Sequence, residues 1–258
     1  MWLRLFRPVQ LVFETATLSA PGGRVENEDA VGYRMVDGAG CWALADGLGG
    51  HRGGEVASRL AIDAAISSFV ENPSIQEEAL NKHMVMGNRA VLGRQKTEPA
   101  LAHMRTTMVI LIASAEAAMW AHAGDSRLYW FRGGRIREQT LDDSVPQRLV
   151  AAGEISANQI RFHEDRSKLL NSLGTREQVT ASLREMPGPP APGDAFLLAS
   201  DGFWEGVTEP EMEEDFGASK SSEAWIGRME ARIKERAAAD SDNYSAIAVR
   251  VLKRKGRA

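Results

Sequence analysis

The sequence predicts an α+β fold in which antiparallel sheets pack together with helices on the outside. Three observations carry this. Strand-like segments dominate both ends of the chain, and the helical stretches fall in blocks with little β-α-β alternation. The connections in the second run of strands are only a few residues long. A parallel crossover needs roughly a dozen residues, so these neighbours must be antiparallel. At 258 residues, 43% hydrophobic and 26% charged, the composition is that of a globular chain and excludes a largely disordered or fibrous one. No linker divides the chain, so a single domain over residues 1–258 is expected.

The first strands are expected at Leu11 to Thr17, Ala30 to Val36 and Cys41 to Ala45. In the second, Val31, Tyr33 and Met35 alternate with Gly32 and Arg34, as in a half-buried strand. Two helices follow. Glu55 to Val70 carries Val56, Leu60 and Ala64 on one face, and Gln76 to Gln95 carries Leu80, Met84, Gly87 and Val91. Further strands are expected at Thr106 to Ser114, Ala117 to Ala123 and Arg127 to Phe131, with Gly133-Gly134 as the next hairpin turn. The stretch from Asp142 to Arg166 is polar, with a short helical piece around Pro146 to Ala152, and reads as a surface excursion. Strands at Val179 to Met186 and Ala195 to Ser200 flank a Pro- and Gly-rich loop that can be neither helix nor central strand. A late helix, Ser222 to Ala238, repeats Trp225, Met229, Ile233 and Ala237, with Glu230 and Lys234 in the favourable i, i+4 order on the opposite face. The last strand, Ser245 to Leu252, buries Ile247, Val249 and Val251.

Several function classes drop out. Lys plus Arg number 31 against 35 Asp plus Glu, a net charge of -4, which argues against a dedicated nucleic-acid binder. Cys41 is the one cysteine, so no intramolecular disulfide and no cysteine-rich zinc site can form. A reducing compartment, the cytoplasm, is expected. The apolar stretch Met108 to Ala123 is interrupted by Ser114, Glu116 and His122 and is too broken for a membrane span. Pro8 and Gln10 break the apolar character of the first residues, which are not read as a signal peptide.

The informative pattern is a repeated one: an apolar run ends at an aspartate, and a Gly or Ser turn follows. Cys41 to Ala45 ends in Asp46-Gly47, Ala195 to Ser200 in Asp201-Gly202, and Ala117 to Gly124 in Asp125-Ser126. Asp29 and Asp242-Asn243 stand just before strands. One Asp-Gly pair alone is explained by turn chemistry, but several, each at the end of an apolar strand, could meet at one edge of the sheets. Asp46 to Gly50 also holds three glycines, a density that suggests close backbone approach to a ligand. Two carboxylates ~4 Å apart repel by about 4 kcal/mol at an effective dielectric of ~20. A converging set would therefore either protonate or bind a multivalent cation. Oxygen-only ligands select Mg²⁺ or Mn²⁺ over zinc.

The motifs Arg24-Val25-Glu26-Asn27-Glu28-Asp29-Ala30, Asp46-Gly47-Leu48-Gly49-Gly50-His51, Thr106-Thr107, Ala123-Gly124-Asp125-Ser126-Arg127, Ser200-Asp201-Gly202-Phe203-Trp204 and Asp242-Asn243-Tyr244-Ser245 stand in this order. The set resembles the metal-dependent protein serine/threonine phosphatases of type 2C (the PPM family), most closely the bacterial branch. The resemblance runs from about Ser19 to Val251. It implies an α/β/β/α four-layer sandwich, two central antiparallel sheets flanked by helices, with two Mn²⁺ or Mg²⁺ ions at one edge. It implies that Asp46 bridges the ions, that the Gly47 carbonyl ligates one of them, and that Asp201 and Asp242 complete the first ion's shell. Glu28 and Asp29 would hold metal-bound waters, and Asp125 with Asp201 a third, weaker ion. Arg24 would clamp the substrate phosphate, and residues 142–166 would form a flap beside the site. The implied reaction is hydrolysis of phosphoserine and phosphothreonine monoesters by direct attack of a metal-activated water, opposing a serine/threonine kinase. The implied partners are phosphorylated proteins, with neither nucleic acid nor membrane among them.

The sequence departs from the family pattern in two places. Animal members carry a histidine two positions after the bridging aspartate, where this chain has Leu48, which carries no proton; His51, three residues on, matches the bacterial pattern and is read as a local stabiliser of the turn. Asp143 stands where many bacterial members have histidine, and Asp142-Asp143 alone reads as an exposed turn. Cys41 and the aromatic run Tyr129-Trp130-Phe131 are expected in the core. Two other readings stay open at this point: a non-catalytic metal-binding regulator on the same scaffold, and a phosphohydrolase for nucleotides or small phosphates.

Overall fold

The computed structural model describes residues 10–49, 53–176 and 178–254. Eleven strands among these form two antiparallel sheets. In chain order, β1 (Leu11–Ala20), β2 (Asp29–Val36) and β3 (Ala39–Leu48) come first, followed by helices α1 (Gly53–Glu71) and α2 (Glu77–Thr97). Then come β4 (Arg105–Thr106), β5 (Met108–Ala113), β6 (Ala118–Ala123), β7 (Arg127–Arg132) and β8 (Arg135–Gln139). After α3 (Val145–Ala151), a 3₁₀ turn (Ala157–Phe162), β9 (Ser182–Glu185) and β10 (Ala195–Ala199), the chain forms α4 (Asp201–Gly206), α5 (Glu209–Gly217), α6 (Ser222–Arg236) and β11 (Tyr244–Lys253). One sheet has the order β1-β11-β10-β7-β8, the other β2-β3-β5-β6-β9 with β4 pairing β3.

Three layers of apolar side chains define the four-layer sandwich. Strand β3 shows why its sequence is continuously apolar: Cys41, Ala43 and Ala45 face α1 and α2, while Trp42 and Leu44 face the other sheet. In β10, Phe196 and Leu198 meet that inter-sheet layer, and Ala195, Leu197 and Ala199 pack under the late helices with Trp225, Met229 and Ile233 of α6. A strand buried on both faces has no polar side to display. Cys41 and the run Tyr129 to Phe131 lie in this core, as expected. Gly133 and Gly134, both at positive φ (65° and 77°), make the β7–β8 turn.

The structure corrects several element-level expectations. Tyr33 and Met35 are 46% and 41% exposed, because β2 is a sheet edge. The buried stripe of α1 is Ala57, Ala61, Ala65 and Phe69, one position on from the expected Val56, Leu60 and Ala64, which are half-buried. Alanines let α1 approach β3 closely, and their small side chains weaken the hydrophobic contrast that would mark the face. Strand β9 keeps only four of the eight expected residues. Helix α6 ends at Arg236, so Ala237 lies beyond it and is exposed.

Candidate metal centre

The expected aspartates arrive at one edge because of the strand registers. Asp29 opens β2 directly opposite Asp46 near the end of β3. Ala199 of β10 pairs with Ala246 of β11 and with Arg127 of β7. Asp201, Asp242 and Asp125 therefore leave their strands on the same side. Thr107 ties the two sheets together here. Its hydroxyl accepts from the Asp46 N–H (3.0 Å) and bonds to the Ser126 hydroxyl (2.7 Å). The Asp46 carbonyl in turn accepts from the Thr106 hydroxyl (2.7 Å) and the Thr107 N–H (2.8 Å). Asn243 fastens the loop before β2, accepting from the Glu28 N–H (2.8 Å) and donating to the carbonyls of Pro21 and Glu26 (2.9 Å each). Gly47 is obligatory: a Cβ there would lie 2.2 Å from the Gly54 carbonyl oxygen, where the start of α1 crosses the end of β3.

Among the described residues Asp29, Asp46, Asp125 and Asp201 make no ion pair, although Arg24 pairs with Asp242 at the same edge. Asp46 keeps part of its surface open to the cleft, yet its carboxyl is pushed well above the usual range, first by burial and then by the charges of Asp201, Asp29 and Asp125. Asp201 is raised by burial and by Asp242, and a hydrogen bond with Asp46 partly offsets this. Asp125 is raised by burial, then by Asp201 and Asp142. Asp29, 7% exposed, is pushed up to about 7 by burial, against the lowering effect of hydrogen bonds with Ser245 and Ser200. Half-buried Glu28 is raised by burial and partly relieved by the Gly54 N–H. The Asp46 and Asp201 carboxyls are hydrogen-bonding neighbours, which raises the pKa of the first and lowers that of the second. Among the described residues no three acidic, histidine or cysteine side chains already form a ready-made coordination sphere.

The donor set fits a hard divalent ion. All donors are oxygens, and one of them, Oδ1 of Asp29, is buried without a hydrogen-bond partner. Asp46, Gly47, Glu28, Asp242 and Arg24 line a cavity of about 500 Å³. It adjoins a second of about 720 Å³, which shares Arg24 and Asp242 and adds Asp201, Glu205 and Arg166. A family model described as protein phosphatase 2C matches residues 24–241. The chain belongs to the protein phosphatase 2C family.

Relatives in this family place the match more closely. The chain is 36% identical over 204 residues to the serine/threonine protein phosphatase PstP of Mycobacterium tuberculosis, a stretch that is 78% of this chain but 38% of PstP. It is 31% identical over 204 residues to the serine/threonine phosphatase stp of Listeria welshimeri, covering 77% of this chain and 80% of stp. The crystal structure of the PstP catalytic domain, solved in complex with two manganese ions, superposes with a TM-score of 0.78 at 31% identity, over 94% of this chain and all of that one. The expected four-layer α+β architecture is that of this family.

Other sequence-level expectations meet the site as follows. Arg24 is ion-paired with Asp242 (3.1 Å), so the expected phosphate clamp and an expected metal ligand touch each other. Asp142 and Asp143 are no exposed turn. Asp142, 6% exposed, binds Arg127 through both oxygens (2.8 Å each), and Asp143 Oδ2 accepts from the Gly124 N–H (3.2 Å) and Asn171 (2.8 Å). His51 lies outside the described residues. Thr106, Thr107, Ser126, Ser200 and Asn243 all sat within the quoted motifs, but without a role. Glu205, pushed up to about 7 by burial and by the charge of Asp201, went unread because nothing local distinguishes it. No helix among the described residues is long and apolar enough to cross a membrane.

Proposed function

We propose that this chain is a metal-dependent protein serine/threonine phosphatase, hydrolysing phosphoserine and phosphothreonine monoesters. The observation that carries the reading is the placement of Asp29 opposite Asp46, with Asp125, Asp201 and Asp242 leaving their strands at the same edge, where Arg24 lines the cleft with Asp46 and Asp242. In this reading Asp46, the Gly47 carbonyl, Asp201 and Asp242 hold two Mn²⁺ or Mg²⁺ ions, with Glu28 and Asp29 as hydrogen-bond acceptors around them. Asp125 with Asp201 holds a third, weaker ion. Such ions supply a water activated at neutral pH and charge neutralisation for the phosphoryl group.

The chain's own residues do the rest. Arg24 presents a planar fork matched to a phosphoryl dianion, and its contact with Asp242 holds that fork at the cleft until substrate arrives. Asp46 and Asp201, whose pKa values are raised chiefly by burial, would have to ionise to hold a cation, so binding would be coupled to loss of protons. Thr106 and Thr107 fix the Asp46 backbone, so its carboxylate is aimed by β3 rather than by a mobile loop. Leu48 delivers no proton to the leaving oxygen.

The substrates in this reading are phosphorylated proteins, the output of a serine/threonine kinase. The chain is read as one catalytic domain with residues 142–166 as a flap beside the site. A reducing, cytoplasmic location agrees with the lone buried Cys41. The test is hydrolysis of a phosphothreonine peptide by the purified protein with and without Mn²⁺, beside nucleotides as competing substrates. Turnover should require the ion, favour the peptide and vanish in Asp46→Ala and Asp201→Ala. Unchanged activity in both variants, or preference for nucleotides, rejects the proposal.

A further inference from the structure

We infer that Trp204 is a positioning residue for the metal centre, acting through Asp125; the inference rests on the reading of the carboxylate edge as a cation site. Trp204 lies on α4, three residues after Asp201, and is 2% exposed. Its indole N–H donates to the backbone carbonyl of Asp125 (3.0 Å). The buried indoles of Trp120 and Trp130 have no hydrogen-bond acceptor, whereas that of Trp204 has one, and it belongs to the turn that carries a candidate ligand.

That turn is anchored on every side by groups of the site. The Gly124 N–H donates to Asp143 Oδ2 (3.2 Å), and the Gly124 carbonyl accepts from the Asp143 N–H (2.9 Å). Ser126 bonds to Thr107, whose hydroxyl also receives the Asp46 N–H. Gly124 has φ 104°, and a Cβ there would lie 2.7 Å from Thr107. Trp204 supplies the remaining anchor, the one that links the Asp125 turn to the helix opened by Asp201.

The indole is itself held. The Arg127 guanidinium carbon lies 3.4 Å from the ring centroid, and that of Arg161 lies 5.2 Å from it. Guanidinium groups over an indole face are attracted by its quadrupole, more so when desolvated. Each cation is neutralised by its own partner, Arg127 by Asp142 and Arg161 by Glu209 (2.6 Å). The stack therefore brings no net positive charge to the carboxylates. Its effect is orientation: two charged planes fix the ring, the ring fixes the Asp125 carbonyl, and the Asp125 carboxylate is presented toward Asp201. Asp142 and Arg161 both belong to the 142–166 segment, so that segment shares the same anchor.

The test is Mn²⁺ binding by titration calorimetry, with melting midpoints measured in parallel. Trp204→Phe keeps an aromatic ring and loses the N–H. It should melt within a few degrees of wild type, bind Mn²⁺ about tenfold more weakly in the Asp125-dependent event, and raise the Mn²⁺ concentration for half-maximal turnover with little change in kcat. Asp125→Asn should abolish that event, and adding Trp204→Phe to it should change the isotherm no further, because residues acting as one unit are not additive. A wild-type isotherm in Trp204→Phe overturns the inference, as does an equal loss of affinity in the Asp125→Asn background. If Trp204→Phe does not fold, Arg161→Gln takes its place, with the same event weakened about threefold; an unaltered isotherm there also counts against it. Wild-type protein that takes up no Mn²⁺ overturns the metal-centre reading itself, whereas normal wild-type uptake with an unaltered variant overturns this inference alone.

Discussion

The molecule carries two acidic clusters that behave in opposite ways. At the strand-end edge Asp29, Asp46, Asp125 and Asp201 face one another and hold their protons above the usual carboxylate range. On the outer layer, Glu211 is held well below that range by Arg236 and by the Thr208 cap. Burial would raise Glu213 and Glu209, but the hydrogen bonds and charges of Arg135 and Arg161, together with backbone N–H groups, outweigh it. Asp215, 1% exposed, is gripped by Arg228 (3.2 Å) and Arg232 (2.7 Å). The outer cluster carries its own counter-charges: Glu211 and Asp215 hold α5 to α6, while Glu213 and Glu209 tie α5 to Arg135 and Arg161. Among the described residues no ion pair is made by Asp29, Asp46, Asp125 or Asp201, and strongly raised carboxyls lining a cleft are the kind of arrangement found at functional sites.

The largest effect should come from the inner cluster. Asp46→Asn should lower phosphopeptide turnover at least about 10³-fold in a steady-state assay. The same change should raise the metal-free melting midpoint by roughly 3–6 °C in calorimetry at neutral pH, because the neutral amide removes the cost of keeping a buried carboxyl protonated there. A variant that is both inactive and less stable would erase the contrast between the clusters.

The next effect is on pH dependence. The inner groups have folded-state pKa values above their unfolded ones, so the folded state binds more protons between them. Their contribution is greatest below about pH 4 and is lost as pH rises through the folded value, about 7 for Asp29. The depressed outer groups contribute above the ordinary glutamate range and lose it as pH falls through their folded values. Metal-free protein should therefore lose roughly 5–10 °C of midpoint between pH 5 and 8, and Mn²⁺ should restore it. A flat metal-free profile over that interval would show that the inner carboxylates carry no excess protons.

Arg232→Ala should be smaller and of a different kind. It strips a buried carboxylate of one partner, costing about 2–3 kcal/mol in denaturant unfolding, while the Mn²⁺ requirement for turnover stays at the wild-type value. The smallest effect belongs to Lys234→Ala, which removes an exposed i, i+4 pair with Glu230 and should leave the unfolding midpoint unchanged.

How much of this could be read in the sequence follows the same division. The inner aspartates were legible because each ends an apolar run, and a hydrophobic strand stopping at Asp-Gly is a local signal. The outer cluster was not. In α5 the buried Met212 and Phe216 are hidden among glutamates, although Thr208 and Glu211 form a capping box with Pro210 in the first turn. Strand β8 is implied by the Gly133-Gly134 hairpin turn, but its two arginines and one glutamate in five residues, at a sheet edge, leave no apolar alternation to set its bounds. The pairing of Arg127 with Asp142, and of Arg24 with Asp242 across 218 residues, is set by tertiary folding and leaves no local trace.

The central claim is that the inner carboxyls keep protons which a divalent ion displaces. Calorimetric titration of the protein with Mn²⁺ at pH 6.5, in buffers of different ionisation heat, measures that exchange directly. The account predicts release of about one proton or more per protein on ion uptake, and loss of both the uptake and the release in a protein carrying Asp46→Asn and Asp201→Asn together. Uptake of Mn²⁺ with no proton released, or uptake that persists in the double variant, would contradict it.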